Sequence, residues 1–342
     1  MPNVLQKAYK ECQRFKKRCK RYALTLLRIF FNSYHQHSKM PLSRAYLNEL
    51  SNLVLITGQN CSLKCKNCAN FSPYLAKTMP FYPYEEICQD LQAITEECRI
   101  LHLGIQGGEF FLHPNALQIL EYIANNPRIQ QVTIATNATI IPKDSLLAII
   151  KQSNKIAVRL SDYGEVNYKS AQKLESVLIA HDISHYTHRY AHGDSQWRDC
   201  GGKELTRLKD KVVQKIFEEC IFGKYCLSME NGFISRCSRG VIAHLVQGFS
   251  LGANDGILVR PNAKRAFATY NAQTYAHYSS GGGDMNKNYL PSFDFPTLKR
   301  FLESPAPIEA CYYCYGTSGK TIPPGVQLTP EEVKSIANAN QS

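Results

Sequence analysis

Leu53-Val54-Leu55-Ile56-Thr57, running within four residues into Cys61-Ser62-Leu63-Lys64-Cys65-Lys66-Asn67-Cys68, decides how this 342-residue chain folds. An unbroken apolar run of this length reads as a strand buried on both faces, as parallel strands are. The cysteines that follow put three thiols into one loop at that strand's C-terminal end. Three thiolates so placed grip three corners of a cubic iron–sulfur cluster and leave the fourth iron open. Zinc is the competing reading, but structural zinc takes four ligands, usually as two pairs, and no fourth Cys or His is close by.

The same strand signal returns at Leu101-His102-Leu103-Gly104-Ile105-Gln106, at Gln131-Val132-Thr133-Ile134-Ala135-Thr136-Asn137 and at Lys155-Ile156-Ala157-Val158-Arg159-Leu160-Ser161. Helical patterns cover 84–98, 113–125, 143–152 and 167–181. Strands alternating with helices predict an α/β fold with a parallel sheet, crossover helices and functional loops at the strands' C-terminal ends. Cys88 and Cys98 fall on the first helix with no ligand spacing and read as small apolar residues.

Gln59-Asn60-Cys61 through Cys68 resembles the cluster loop of the radical S-adenosylmethionine (radical SAM) enzymes, with Asn67 where that family usually has an aromatic residue. The resemblance implies a [4Fe-4S] cluster on Cys61, Cys65 and Cys68. SAM would chelate its open iron, and a 5′-deoxyadenosyl radical would take hydrogen from carbon. Gly107-Gly108-Glu109 is similar to the family's segment for the SAM amino group, with Phe110 where proline is common. Asn137 ends a strand that in the family often reads T-N-G, Ala138 replacing the glycine. Arg159 and Ser161 stand where the family contacts SAM's carboxylate and ribose. The implied fold is a partial (β/α)6 TIM-like barrel covering roughly 52–214.

Cys220, Cys226, Cys237, Cys311 and Cys314 occupy the last third, with eleven residues from Cys220 to Gly232, four more before Cys237, and a C-x-x-C at 311–314. This is similar to the SPASM and twitch extensions of radical SAM enzymes. The chain ends without the further cysteines of a two-cluster SPASM domain, so a twitch domain with one auxiliary [4Fe-4S] cluster on Cys220, Cys237, Cys311 and Cys314 is expected. Cys226 is the alternative to Cys220, and a rubredoxin-like zinc or iron site is the alternative to the cluster. Glu230-Asn231-Gly232-Phe233 reads as a hairpin turn. Gly-, Asn- and Tyr-rich residues 248–296 read as an insertion over the active site or a surface loop.

His185, His188, Arg189, Tyr190, His192 and Trp197 could line a polar substrate pocket, or a plain surface loop. Residues 1–44 hold eleven Lys or Arg against Glu11, giving +10 of the formal +12. Leu5, Ala8, Cys12, Phe15, Cys19, Tyr22, Leu26 and Ile29 recur at helical spacing. That pattern predicts a basic amphipathic helix, which would lie on anionic lipid or dock on the barrel. Nucleic acid would attract the charge, but no recognition motif accompanies it. No run is long enough to span a bilayer.

The expected organisation is a helix and linker (1–50), a barrel (51–214), an auxiliary-cluster domain (215–325) and a tail (326–342). The thirteen cysteines, with no signal segment, predict a cytoplasmic protein, and the basic helix, where it lies on lipid rather than on the barrel, would put it at the inner face of the membrane. The expected activity is oxidation or epimerisation of a carbohydrate-like, nucleotide- or lipid-linked substrate, with a flavodoxin- or ferredoxin-type electron donor. Resemblance to radical SAM proteins of surface-polysaccharide synthesis implies that substrate. Epimerisation would need Cys200 or Cys226 to return hydrogen. Peptide modification is the alternative, and a non-enzymatic iron–sulfur carrier is disfavoured by the G-G-E segment.

Overall fold

The structure, a computed structural model, describes residues 43–44, 48–190, 193, 196–260 and 292–339. The segment expected to form the N-terminal helix, His192 and most of the expected insertion lie outside the described residues. Strands and helices alternate as β1 (Leu53–Ile56), α1 (Tyr84–Glu97), β2 (Arg99–Gln106), α2 (Ala116–Asn125), β3 (Ile129–Thr136), α3 (Asp144–Gln152), β4 (Ile156–Asp162), α4 (Tyr168–Ala180) and β5 (His185–Arg189). The helix α5 (Asp210–Glu219) leads to a hairpin, β6 (Ser228–Glu230) and β7 (Phe233–Ser235), to which β8 (Ile257–Leu258) adds. Among the described residues, the helices α6 (Phe295–Glu303) and α7 (Pro330–Ala339) come after β8.

The sheet runs β8-β7-β6-β1-β2-β3-β4-β5, and the six strands from β6 to β5 are parallel. The fold is an α/β partial barrel. Residues 52–214 supply five of those strands; the sixth, β6, belongs to the hairpin and closes onto β1, pairing Val54 with Ser228 and Ile56 with Glu230. Its turn has Asn231 at φ 43° and Gly232 at φ 77°, a left-handed pair that an Asn-Gly sequence supplies at little cost.

Buried positions explain the helices. On α2, Ala116, Ile119, Leu120 and Ile123 face inward at spacings of three and four. On α1 the inward stripe is Ile87, Asp90, Leu91 and Ile94. Asp90 is a charge in the core, tolerated because Arg260 from beyond β8 forms an ion pair with it. Cys98 is fully buried, whereas Cys88 is half-buried. The core joins both sides of the sheet: Leu55, Leu103, Ile105, Ile134 and Leu160 with Phe233, Ile242 and Leu298. Among the described residues no helix is long and apolar enough to cross a membrane.

Candidate active site

The loop after β1 is fastened from below. Gly108 donates to the Gly58 carbonyl (2.9 Å) and Glu109 to the Asn60 carbonyl (2.8 Å). A Cβ on Gly108 would sit 2.1 Å from the Asn60 carbonyl oxygen. In this structure, then, Gly108 is required because two chain segments touch. Glu109 is buried, accepting from Thr136 Oγ1 (2.9 Å), Asn137 N (2.8 Å) and Phe111 N (3.2 Å). Burial pushes its carboxyl up to about 7 against those bonds.

Above this floor lies a cavity of about 340 Å³, at the C-terminal ends of the strands. Cys61, Cys65, Cys68, Gly107, Gly108, Asn137, Arg159 and Ser161 all line it, as do Cys200 and Cys226; Glu109 lies beneath. Burial pushes the Cys61 thiol up to about 11, and neighbouring Cys68 adds to the rise. Cys65 is pushed to about 12, again by burial first and Cys68 next. Crowded buried thiols resist ionising until a metal draws out their protons. Asn137 serves them directly: its Nδ2 donates to Cys61 Sγ (3.3 Å) and to Ser62 Oγ (3.0 Å). The next residue, Ala138, is buried at φ 59°, the left-handed conformation that a T-N-G ending would give to glycine.

Arg159 reaches into the cavity among Tyr163, Tyr186, Tyr190 and Cys226, its buried Nε without a hydrogen-bond partner. Tyr163, Tyr190 and Trp197 pack as a triad with ring centroids 5.0–5.5 Å apart. Of the aromatic and histidine group read from the sequence, Tyr190 and Trp197 reach the cavity. His185 is tied to the Ile183 carbonyl (2.8 Å), and His188 packs on Tyr186 and Tyr190. The charged lining among the described residues is Arg159, Arg198 and Arg239.

A second thiol group borders the first. Cys220, Cys237, Cys311 and Cys314 line one small cavity together, and Cys226 faces the large one instead. Burial pushes Cys311 up to about 12 and holds Cys237 well above the ordinary thiol range. Cys200 hydrogen-bonds Cys314, which keeps the proton on Cys200 and lowers Cys314; Arg239 and the Gly316 N–H (3.2 Å) act in the same direction. Among the described residues no three His, Cys, Asp or Glu side chains converge as around a single ion. The thiols ring cavities, an arrangement suited to a polynuclear cluster. Sequence reasoning missed Arg239, which lines both cavities, stacks over Phe71 (4.2 Å) and donates to the Tyr313 carbonyl (3.0 Å). Tyr163 was missed too; only its position two residues past Ser161 hinted at it.

Residues 55–162, which carry both the loop and its floor, match the Radical SAM superfamily. They form a radical SAM domain. The cofactors of such a domain are a [4Fe-4S] cluster and S-adenosylmethionine. A curated relative, the antilisterial bacteriocin subtilosin biosynthesis protein AlbA of Bacillus subtilis (strain 168), is 32% identical over 102 residues. That match spans 30% of this chain and about a fifth (21%) of the relative. Solved structures similar to the chain include Streptococcus suis SuiB bound to precursor peptide SuiA (16% identity, TM-score 0.37, 82% of this chain and 78% of that one). Another is BtrN in complex with AdoMet and 2-DOIA (12% identity, TM-score 0.41, 81% and 98%).

Proposed function

We propose that the chain is a radical SAM enzyme that oxidises a peptide. The observation that carries the reading is a radical SAM domain whose three-thiol loop opens into one cavity with Asn137, Arg159 and Ser161. Cys61, Cys65 and Cys68 would hold three irons of the cluster, and Cys220, Cys237, Cys311 and Cys314 a fully ligated auxiliary cluster. Bound there, the cluster and SAM supply reductive cleavage of a C–S bond of SAM and, with it, hydrogen abstraction from an unactivated carbon.

The chain's own residues do the rest. Gly108 lets the floor meet the cluster loop, and Asn137 orients the Cys61 sulfur. Arg159 offers its guanidinium to a carboxylate, of SAM or of substrate. Tyr190 and Trp197 form an apolar wall that keeps water from the reacting carbon. A flavodoxin- or ferredoxin-type protein supplies the electron.

The carbohydrate substrate expected from the sequence gives way here to a peptide, because the curated relative is named for the biosynthesis of a bacteriocin. The cavity's arginines suit a peptide with acidic groups. For epimerisation, Cys226 is the better placed thiol, since Cys200 is bonded to Cys314.

Reduced, anaerobically reconstituted protein given SAM should release 5′-deoxyadenosine, and Cys65→Ala should abolish the release. Incubated with cell extract, the enzyme should remove two hydrogens from a species that prior protease treatment of the extract destroys. A protease-resistant species losing two hydrogens would return the reading to carbohydrate.

A further inference from the structure

The end of the chain, rather than the barrel, completes the cluster loop. Lys66 donates its N–H to the Val326 carbonyl (2.8 Å) and Leu328 donates to the Lys64 carbonyl (2.8 Å), so 326–328 runs antiparallel along 64–66. Between these bonds lies the Gln327 carboxamide. Its Oε1 accepts from Lys64 N (2.7 Å); its Nε2 donates to the Gly325 carbonyl (2.5 Å) and to Cys65 Sγ (3.4 Å). The orientation is forced. A backbone N–H can only donate and a backbone carbonyl only accept, so the amide's NH2 end has to face the sulfur.

We propose that Gln327 is a positioning residue for the SAM-site cluster: it fixes the Lys64–Cys65 backbone and, through its N–H···S bond, raises the cluster's reduction potential. The inference rests on the reading of Cys61, Cys65 and Cys68 as cluster ligands. One-electron reduction by the protein donor adds negative charge that spreads onto the sulfurs. A donor on a sulfur stabilises the reduced state more than the oxidised one. Asn137 acts likewise on Cys61 (3.3 Å), so neutral carboxamides from distant parts of the chain serve two of the three thiols. The Lys66–Glu332 ion pair (2.7 Å) pins the same strap, but it is exposed and contributes little.

The test uses full-length, anaerobically reconstituted protein and EPR-monitored potentiometry at pH 8 without SAM. Gln327→Met removes both polar ends; Gln327→Glu keeps the acceptor for Lys64 and loses the donor. Both should shift the SAM-site midpoint negative, with the reduced-to-oxidised ratio at fixed potential falling about tenfold, equivalent to about 59 mV for a one-electron couple. The auxiliary midpoint should stay put. Loss of the SAM-site cluster alone, the auxiliary one kept, would also support the proposal. An unchanged midpoint in either variant that keeps the cluster would overturn it. So would loss of both clusters in both variants, which would make Gln327 a residue of the fold at large. Wild-type protein lacking any SAM-responsive cluster signal would instead overturn the functional reading.

Discussion

Glu230, at the end of β6, is a carboxyl sealed under the cluster loop. Its Oε1 accepts from Tyr82 Oη and from Gln59 Nε2 (3.0 Å), while its buried Oε2 has no hydrogen-bond partner. Burial, only partly opposed by those two bonds, pushes it from 4.5 up to about 7. The folded protein therefore keeps a proton that the unfolded chain releases above 4.5, so stability falls as pH rises between 4.5 and 7. The loss is roughly 3 kcal/mol at 1.36 kcal/mol per pKa unit. Glu230→Gln presents an amide where the protonated acid stood and should escape this loss. Urea midpoints at pH 5 and pH 8 should therefore drop more for wild type than for the variant, and parallel drops would refute the assignment; Glu109, common to both, cancels. At this scale the sequence disclosed what sits in one loop. Cys61, Cys65 and Cys68 were legible because their spacing is local, whereas Gln327 lies 262 residues from Cys65 and no local pattern marks it.

Between residue and molecule stand the pairings of short segments. Strand and helix positions were readable from apolar period, and the Asn231-Gly232 turn from its own chemistry. That β6 would close onto β1 was not, because β6 is three residues long and its partner is chosen by packing across the whole sheet. The same holds for the ladder between 197–200 and 315–322, which brings Cys200 to Cys314. Asp199 donates to the Lys320 carbonyl (2.9 Å), Ile322 to the Trp197 carbonyl (2.9 Å) and Tyr315 to the Cys200 carbonyl (3.2 Å). Gly319 permits this contact: a Cβ there would fall 1.8 Å from the Asp199 carbonyl oxygen. Gly319→Ala has to force the segments apart, at about 1–3 kcal/mol for overpacking. Its thermal midpoint should fall and its auxiliary iron content should drop, since Cys314 sits on the displaced segment. A melt matching wild type would mean the ladder is not held as described.

On the scale of the whole chain, charge is divided. Residues 1–44 carry +10 of the formal +12, leaving +2 for all the rest. The cavity's own positive residues, Arg159, Arg198 and Arg239, face inward at the mouth of the barrel, where thiolates and a carboxylate-bearing ligand would balance them. So dense a run of positive charge in the sequence is the composition that an anionic lipid surface attracts. Lys and Arg near an anionic bilayer contribute about 1 kcal/mol each, and that attraction fades within a Debye length. Binding through 1–44 should therefore be steep in salt. Full-length protein should float with vesicles containing phosphatidylserine at low ionic strength, be released by several hundred millimolar salt, and remain at the bottom of the gradient once residues 1–44 are removed. Flotation that survives the deletion would place membrane contact elsewhere on the protein. Flotation unaffected by salt would mean that the apolar residues Leu5, Phe15 and Leu26, rather than the lysines and arginines, hold the segment to lipid.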